Sequence, residues 1–155
     1  MTEEQQRVVD RLLAVMSGEL DVAELDRILS PTLVLHVEGR TVGGAEGMKA
    51  FLTFVRRQIP HLTIICDRTV SHEDGTVSLV GRWLGERQGR QVSSREASAT
   101  YRIESGAVVE VWTKRANYEF FFGRLVRSWV GFWLISAWVA VSYRLGGAAL
   151  GIPPR

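Results

Sequence analysis

Three side chains can hold or move a proton in otherwise apolar surroundings: His36, Tyr101 and Asn117. His36 stands near the end of the apolar, β-branched run Thr32 to Val37. An imidazole there can take and return a proton near neutral pH; an imidazole held by backbone groups for structure is the competing reading. Tyr101 shares a strand face with Ile103, so its hydroxyl points where apolar side chains point. Asn117 supplies an amide donor and an amide acceptor for a ligand carbonyl, or caps a helix at a strand-to-helix junction. Other chemistries lack their constellations. No Cys/His cluster has metal-ligand spacing, so no metal is expected. There is no G-x-S-x-G, no P-loop and no dinucleotide fingerprint. No cofactor is implied.

Around these residues lies apolar wall. Trp83 follows the parity of Val77 and Leu79, while Arg82 takes the opposite face. Leu12 and Met16 fall on one helical stripe, Phe51 and Val55 on another. With Trp83 and Trp112 they are the candidate substrate-binding residues. Glu110, Trp112 and Lys114 share one strand face, and Glu110 with Lys114 reads as an exposed ion pair of little energetic weight. Glu38, His61 and His72 fall in turns and loops and read as solvated.

Positioning these groups takes one domain with a sizeable core, which 155 residues allow. Hydrophobic residues at 46% and charged residues at 23% are ordinary globular usage. A net charge of +2 argues against nucleic acid as a partner. The single cysteine, Cys66, excludes a disulfide within the chain and fits a reducing compartment. Met1 to Gln6 is polar and acidic, unlike a signal peptide, so a cytoplasmic location is expected.

Thr2-Glu3-Glu4-Gln5 is a capping box ahead of a helix carrying Val8, Val9, Leu12, Leu13 and Met16. Ser17-Gly18 stops it. A second helix is predicted over Asp21 to Leu29, ended by Pro31. A strand follows from Thr32 to Val37, then a glycine-rich turn from Gly39 to Gly44. The third helix carries Met48, Phe51, Leu52, Val55 and Ile59, with Pro60 closing it. The period then changes to that of strands: Leu62–Val70, Thr76–Leu84, Gln91–Ile103 and Ala107–Lys114, with Gly85–Arg90 as a hairpin loop. Helices first and a meander after predict α+β, with helices on one face of a mainly antiparallel sheet.

Tyr118 to Leu145 is apolar nearly all round and contains Trp129, Trp133 and Trp138. No acid follows Glu119, whereas Arg124, Arg127, Arg144 and Arg155 do. Read as one helix of roughly 27 residues, it is about 40 Å long. Its charge-free run, Ser128 to Tyr143, falls short of the ~20 residues that span a membrane. Three readings stay open for residues 118–145: a lid on a pocket, a surface for a partner subunit, or contact with a membrane. The expected division is residues 1–117 as an α+β domain and 118–155 as its hydrophobic helix and tail.

The element order resembles the nuclear transport factor 2-like superfamily, and within it the SnoaL-like polyketide cyclases and ketosteroid isomerases. The residues that carry this are His36-Val37-Glu38-Gly39, Gly44-Ala45-Glu46-Gly47-Met48, Tyr101-Arg102-Ile103, Ser105-Gly106 and Val109-Glu110-Val111-Trp112, over about residues 5 to 122. The resemblance implies a cone: a curved sheet wrapped on the N-terminal helices, with a hydrophobic ligand inside. It places His36 near the general base of ketosteroid isomerases, at the end of the first strand. Their first-helix tyrosine has no counterpart, since Asp10 and Arg11 stand there, and the third-strand acid falls at Ala99 or Thr100. The histidine of SnoaL-like cyclases falls near Leu84, and their aspartate at Ala116, one step from Asn117. The resemblance also implies that Trp112 touches either the cavity or the sheet of a homodimer.

The expected function is a cofactor-independent isomerase or cyclase acting on a polyketide or terpenoid. His36 would shuttle the proton, Tyr101 and Asn117 would donate hydrogen bonds, and the aromatic wall would fold the substrate. The alternative is a non-catalytic module that binds a hydrophobic ligand or serves assembly.

Overall fold

The chain begins with α1, Glu3–Ser17, started by the capping box that its first residues announce. Thr2 accepts from the Gln5 backbone and the Gln5 side chain accepts from the Thr2 N–H. Its buried stripe is Val8, Val9, Leu12, Val15 and Met16. Gly18, at φ 89°, ends it in the left-handed region. In the computed structural model, residues 1–59 and 61–144 are described. Pro60, read above as closing the third helix, and residues 145–155 lie outside them.

Asp21 caps a short 3₁₀ turn, Val22–Glu24, which runs into α2, Leu25–Ile28. The helix predicted to reach Leu29 is therefore shorter. Leu29 already belongs to β1, Leu29–Val37, which carries Pro31 within it rather than after a helix. The glycine-rich segment holds a hairpin: Glu38 and Gly39, both at positive φ, turn the chain into β2, Arg40–Gly43. Helix α3, Ala45–Gln58, buries Ala50, Leu52 and Val55.

Strands β3, Thr63–Ser71, and β4, Thr76–Arg87, follow. The predicted hairpin loop Gly85–Arg90 is mostly strand, because β4 runs to Arg87 and a turn at Gln88-Gly89 starts β5, Arg90–Ser93. The single long strand predicted next is two, since β6, Ala97–Glu104, is separate from β5. Strand β7 is Ala107–Thr113. The seven-stranded sheet runs β2-β1-β7-β6-β4-β3, with β5 beside the far half of β4. All pairings are antiparallel except β1 with β7. The fold is thus α+β, with a curved, mainly antiparallel sheet wrapped on helices.

A bulge and a glycine make the curve. Asp67 is the extra residue where β3 shifts register against β4 between Cys66 and Arg68. Opposite stands Gly81, where an added Cβ would lie 2.1 Å from the Ile65 carbonyl oxygen. Only glycine lets the two strands approach this closely. The inner face of the sheet packs on α1, α2 and α3 through a core containing Leu12, Leu25, Val55, Val77 and Val108. Arg56 of α3 donates to the Val15 carbonyl at the end of α1, and burial pushes its guanidinium pKa down.

The C-terminal segment is not one long helix. It comprises a 3₁₀ turn, Arg115–Tyr118, α4, Glu119–Phe122, a second 3₁₀ turn, Gly123–Arg127, and α5, Trp129–Arg144. Gly123 adopts φ 64° and ψ −153°, a conformation essentially reserved for glycine. Ser128 is extended, and its Oγ accepts the Gly131 N–H at 3.0 Å to begin α5 afresh. The two halves, Arg115–Arg127 and Trp129–Ser142, meet at a bend of 120°. Among the described residues no single helix is long and apolar enough to cross a membrane; this bent pair passes by length and composition. The segment folds back, seating Val126 and Phe132 against Val37 in a second apolar cluster.

Candidate functional site

Between the inner face of the sheet, α3 and the returning C-terminal segment lies a cavity of about 610 Å³. The size suits a small molecule. Strand alternation builds the sheet wall: Leu35 from β1, Val111 and Thr113 from β7, Ala97, Ala99 and Tyr101 from β6, and Leu79 and Trp83 from β4. Helix α3 adds Met48 and Phe51, and α1 adds Met16. Phe121, Phe122, Phe132 and Val139 close the far side. Phe51 meets Phe121 edge-on at 5.1 Å, and Trp83 meets Phe121 likewise at 5.2 Å.

Few polar groups interrupt this lining. The most telling is Tyr101, 3% exposed, whose hydroxyl forms no hydrogen bond among the described residues. Burial pushes its phenol pKa above the usual value, and the nearby Tyr118 and Cys66 add to this. Tyr118 also lines the cavity. Burial raises its pKa too, partly offset by the Thr113 hydroxyl. Both phenols therefore stay protonated throughout the physiological range and act as donors. Asn117 is anchored from behind. Its Nδ2 donates to the Ser98 carbonyl and to Thr113 Oγ1, both at 2.6 Å, which leaves its Oδ1 without a hydrogen bond among the described residues. At the rim stand Glu46, paired with Lys49, and Arg144. Among the described residues no cluster of His, Cys, Asp and Glu has the makings of a metal site.

The structure thus brings Tyr101, Asn117, Trp83, Phe51 and Met16 to one cavity. Leu12 and Val55, each 1% exposed, pack in the core beside it and contribute no lining surface. His36 and Trp112 lie on the other side of the sheet. There the two rings stack at 5.5 Å with 13° between planes. His36 Nε2 meets Glu110 Oε1 at 3.0 Å, and its Nδ1 lies 3.4 Å from Thr41 Oγ1. The Arg102 guanidinium lies 5.2 Å over the Trp112 ring and pairs with Glu110 at 3.0 Å. Glu110 therefore serves His36 and Arg102, not Lys114 as read from strand parity. Glu38 is an ion-pair partner rather than a free turn residue: Arg115 Nε donates to it at 2.7 Å and its Nη1 donates to the Arg127 carbonyl at 2.5 Å. This ties the β1–β2 turn to the returning C-terminal chain.

Tyr118, Cys66 and the α5 residues escape the sequence reading. Cys66 carried a usable signal, since it alternates with Ile64 on one face of an apolar strand. Tyr118 and Phe132 carried none, because Tyr118 is placed by the turn Arg115–Tyr118 after β7 and Phe132 by the 120° bend.

The sequence profile of the SnoaL-like domain matches residues 9–111. Among solved structures, TsrD from Streptomyces laurentii superposes with a TM-score of 0.60 at 20% identity, over 72% of this chain and 88% of that one. AclR, a candidate hydroxylase from Streptomyces galilaeus, gives 0.61 at 21% identity over 72% and 88%. A SnoaL-like polyketide cyclase from Agrobacterium tumefaciens gives 0.57 at 16% identity over 73% and 91%. At such identities the likeness establishes the fold and nothing finer. No match was found among curated proteins.

Proposed function

The chain belongs to the SnoaL-like domain family, and from that premise we propose that it is a cofactor-independent isomerase or cyclase of a hydrophobic polyketide- or terpenoid-type molecule. The observation that carries this is Tyr101, a buried residue that lines the apolar cavity and whose hydroxyl forms no hydrogen bond among the described residues. Opening on the cavity, that hydroxyl can donate to a ligand carbonyl. Tyr118, with its phenol also held protonated, is the second donor. A β-polyketone enters as its enol tautomer, and two such donors stabilise the negative charge that develops on the second carbonyl oxygen as the enol carbon attacks it.

Isomerisation and cyclisation conserve the substrate's atoms, so no co-reactant is required. In a cyclisation the enol carbon attacks a second carbonyl of the same molecule. The new carbon–carbon bond uses the enol π electrons, and the enol O–H proton ends on the new alkoxide oxygen. The aromatic wall of Trp83, Phe51 and Phe121 holds the chain folded for that attack, which lowers the entropic part of the barrier. Asn117, fixed by Ser98 and Thr113, presents Oδ1 to a substrate hydroxyl. In this reading His36 keeps a structural role on the outer face. Trp112, beside it, is where the expected homodimer would pair its sheets.

The test is turnover of a linear β-polyketone followed by mass and product analysis. An isomeric cyclic product formed by the native chain, and formed about a hundredfold more slowly by Tyr101→Phe, is the expected result. Equal rates for the two would sink the assignment. A second reading, a non-catalytic ligand-binding module, draws on the shortage of acid and base groups: Glu46 is the one carboxylate in the described lining, and Lys49 holds it. Recovery of bound ligand unchanged, with no conversion of any β-polyketone, favours that reading.

A further inference from the structure

Helix α5 is apolar on two opposite faces, and the fold uses one of them. Phe132, Val139 and Ser142, each 5% exposed, face inward. The opposite stripe, at three- and four-residue steps, is Val130, Trp133, Leu134 and Val141, all exposed, with Trp138 at its edge, 42% exposed and edge-on to Phe54 of α3 at 4.7 Å. Val130 and Leu134 are 71% and 67% exposed, and Leu125, at 68%, extends the patch past the bend. A contiguous apolar surface of this kind marks an interaction site. The family match ends at residue 111, so this surface belongs to a part of the chain outside it.

Charge decides between the two plausible occupants. From residue 115 to 144 there are four arginines and one acid, Glu119, which Arg127 already engages at 2.7 Å. Exposed Arg124 and Arg144 lie near the two ends of the stripe. A second copy seated on this face would set arginine against arginine with no free acid on the segment to compensate. An anionic lipid surface matches it, with arginines at headgroup level and Trp133 and Trp138 at the boundary. The helix has 16 residues, about 24 Å at ~1.5 Å per residue, too short to span and suited to lying flat.

We propose that the outer face of α5 docks in the plane of an anionic bilayer. The opposite side of the same helix lines the cavity through Ile135, Ser136, Val139 and Ala140. A lipophilic substrate can therefore pass from the bilayer to the cavity around one helix. That last step rests on the cavity reading above; the docking itself does not.

The test uses the full chain with vesicles of phosphatidylcholine alone or mixed with phosphatidylglycerol. Sedimentation with the mixed vesicles, weakened by salt and small with phosphatidylcholine alone, is expected. Leu134→Ser combined with Val141→Ser, both on the exposed face, lowers partitioning on the order of tenfold or more. Arg124→Glu lowers the preference for phosphatidylglycerol. Tyr101→Phe leaves vesicle binding unchanged, so failure of the cavity reading and failure of docking are distinguishable. The proposal is overturned if the native chain stays in the supernatant, or if the double variant sediments as the native chain does. A dimer that the double variant dissociates, with no vesicle binding, assigns the face to a second copy instead.

Discussion

On the inner face of the sheet, Ala99, Tyr101 and Val111 form a wall in which one hydroxyl has no hydrogen bond among the described residues. One residue along the same strands, on the outer face, Arg102, Glu110 and Trp112 join His36 in a network of ion pairs and ring contacts. His36, expected from the sequence to shuttle the proton, is thus a group whose needs the protein meets itself. Tyr101, expected beside it as a donor, is the one that faces the cavity. Satisfied polar networks hold structure, whereas a donor that opens on an apolar cavity is available to a ligand.

That contrast can be broken in several ways. The largest effect is expected at Gly81, whose close approach to Ile65 curves the inner face. Gly81→Val forces a Cβ into backbone and costs about 3 kcal/mol of stability, read by thermal unfolding. A wild-type midpoint would mean that the curvature has another origin. Next comes Tyr101→Phe, expected to cut turnover about a hundredfold while leaving stability unchanged or raising it by up to about 1 kcal/mol. Clear destabilisation would show that the hydroxyl has a structural partner. On the outer face the pattern reverses. Glu110→Ala removes the shared partner of His36 and Arg102, costing about 1 kcal/mol in these part-exposed pairs. Turnover should change by less than about twofold.

The smallest test uses pH. Tyr101 and Tyr118 have folded pKa values raised by burial above their unfolded value near 10. Their contribution to stability is present below that value and is lost as pH rises from it through the folded values. Asp74, bonded by Thr76, and Glu119, bonded by Arg127, have depressed values. Their contribution is present above the unfolded carboxylate range and is lost as pH falls through the folded values. Unfolding in alkali should flatten in Tyr101→Phe and unfolding in acid should not; the reverse holds for Glu119→Gln. A Tyr101→Phe profile unchanged above pH 10 would contradict the burial of that phenol.

Much of the fold was legible because local rules sufficed. Thr2 and Gln5 specify the start of α1, and Gly18 its end, through hydrogen bonds and dihedral freedom within a few residues. Parity put Trp83 inward and Arg82 outward, where Arg82 pairs with Asp67 at 3.1 Å. Parity also grouped Leu33, Leu35 and Val37, all turned inward, against Val34 and His36. It did not say which group faced the cavity, since β1 carries apolar residues on both sides. Gly123 and Ser128 are ordinary helix-ending and helix-starting residues, but the high apolar content of residues 118–145 reads as one helix.

The sequence alone determined the element order, the α+β class and the alternation of each strand, because caps, turns and period act over short separations. The tertiary structure decided which face of that alternation encloses the ligand space. It also decided that His36 pairs with Glu110 from 74 residues away, and that Tyr118 meets the cavity. The first follows from sheet curvature at Asp67 and Gly81, the second from the parallel pairing of β1 with β7, and the third from the turn Arg115–Tyr118 that follows β7. Such features depend on strands and helices far apart in the chain, whose juxtaposition no local pattern encodes.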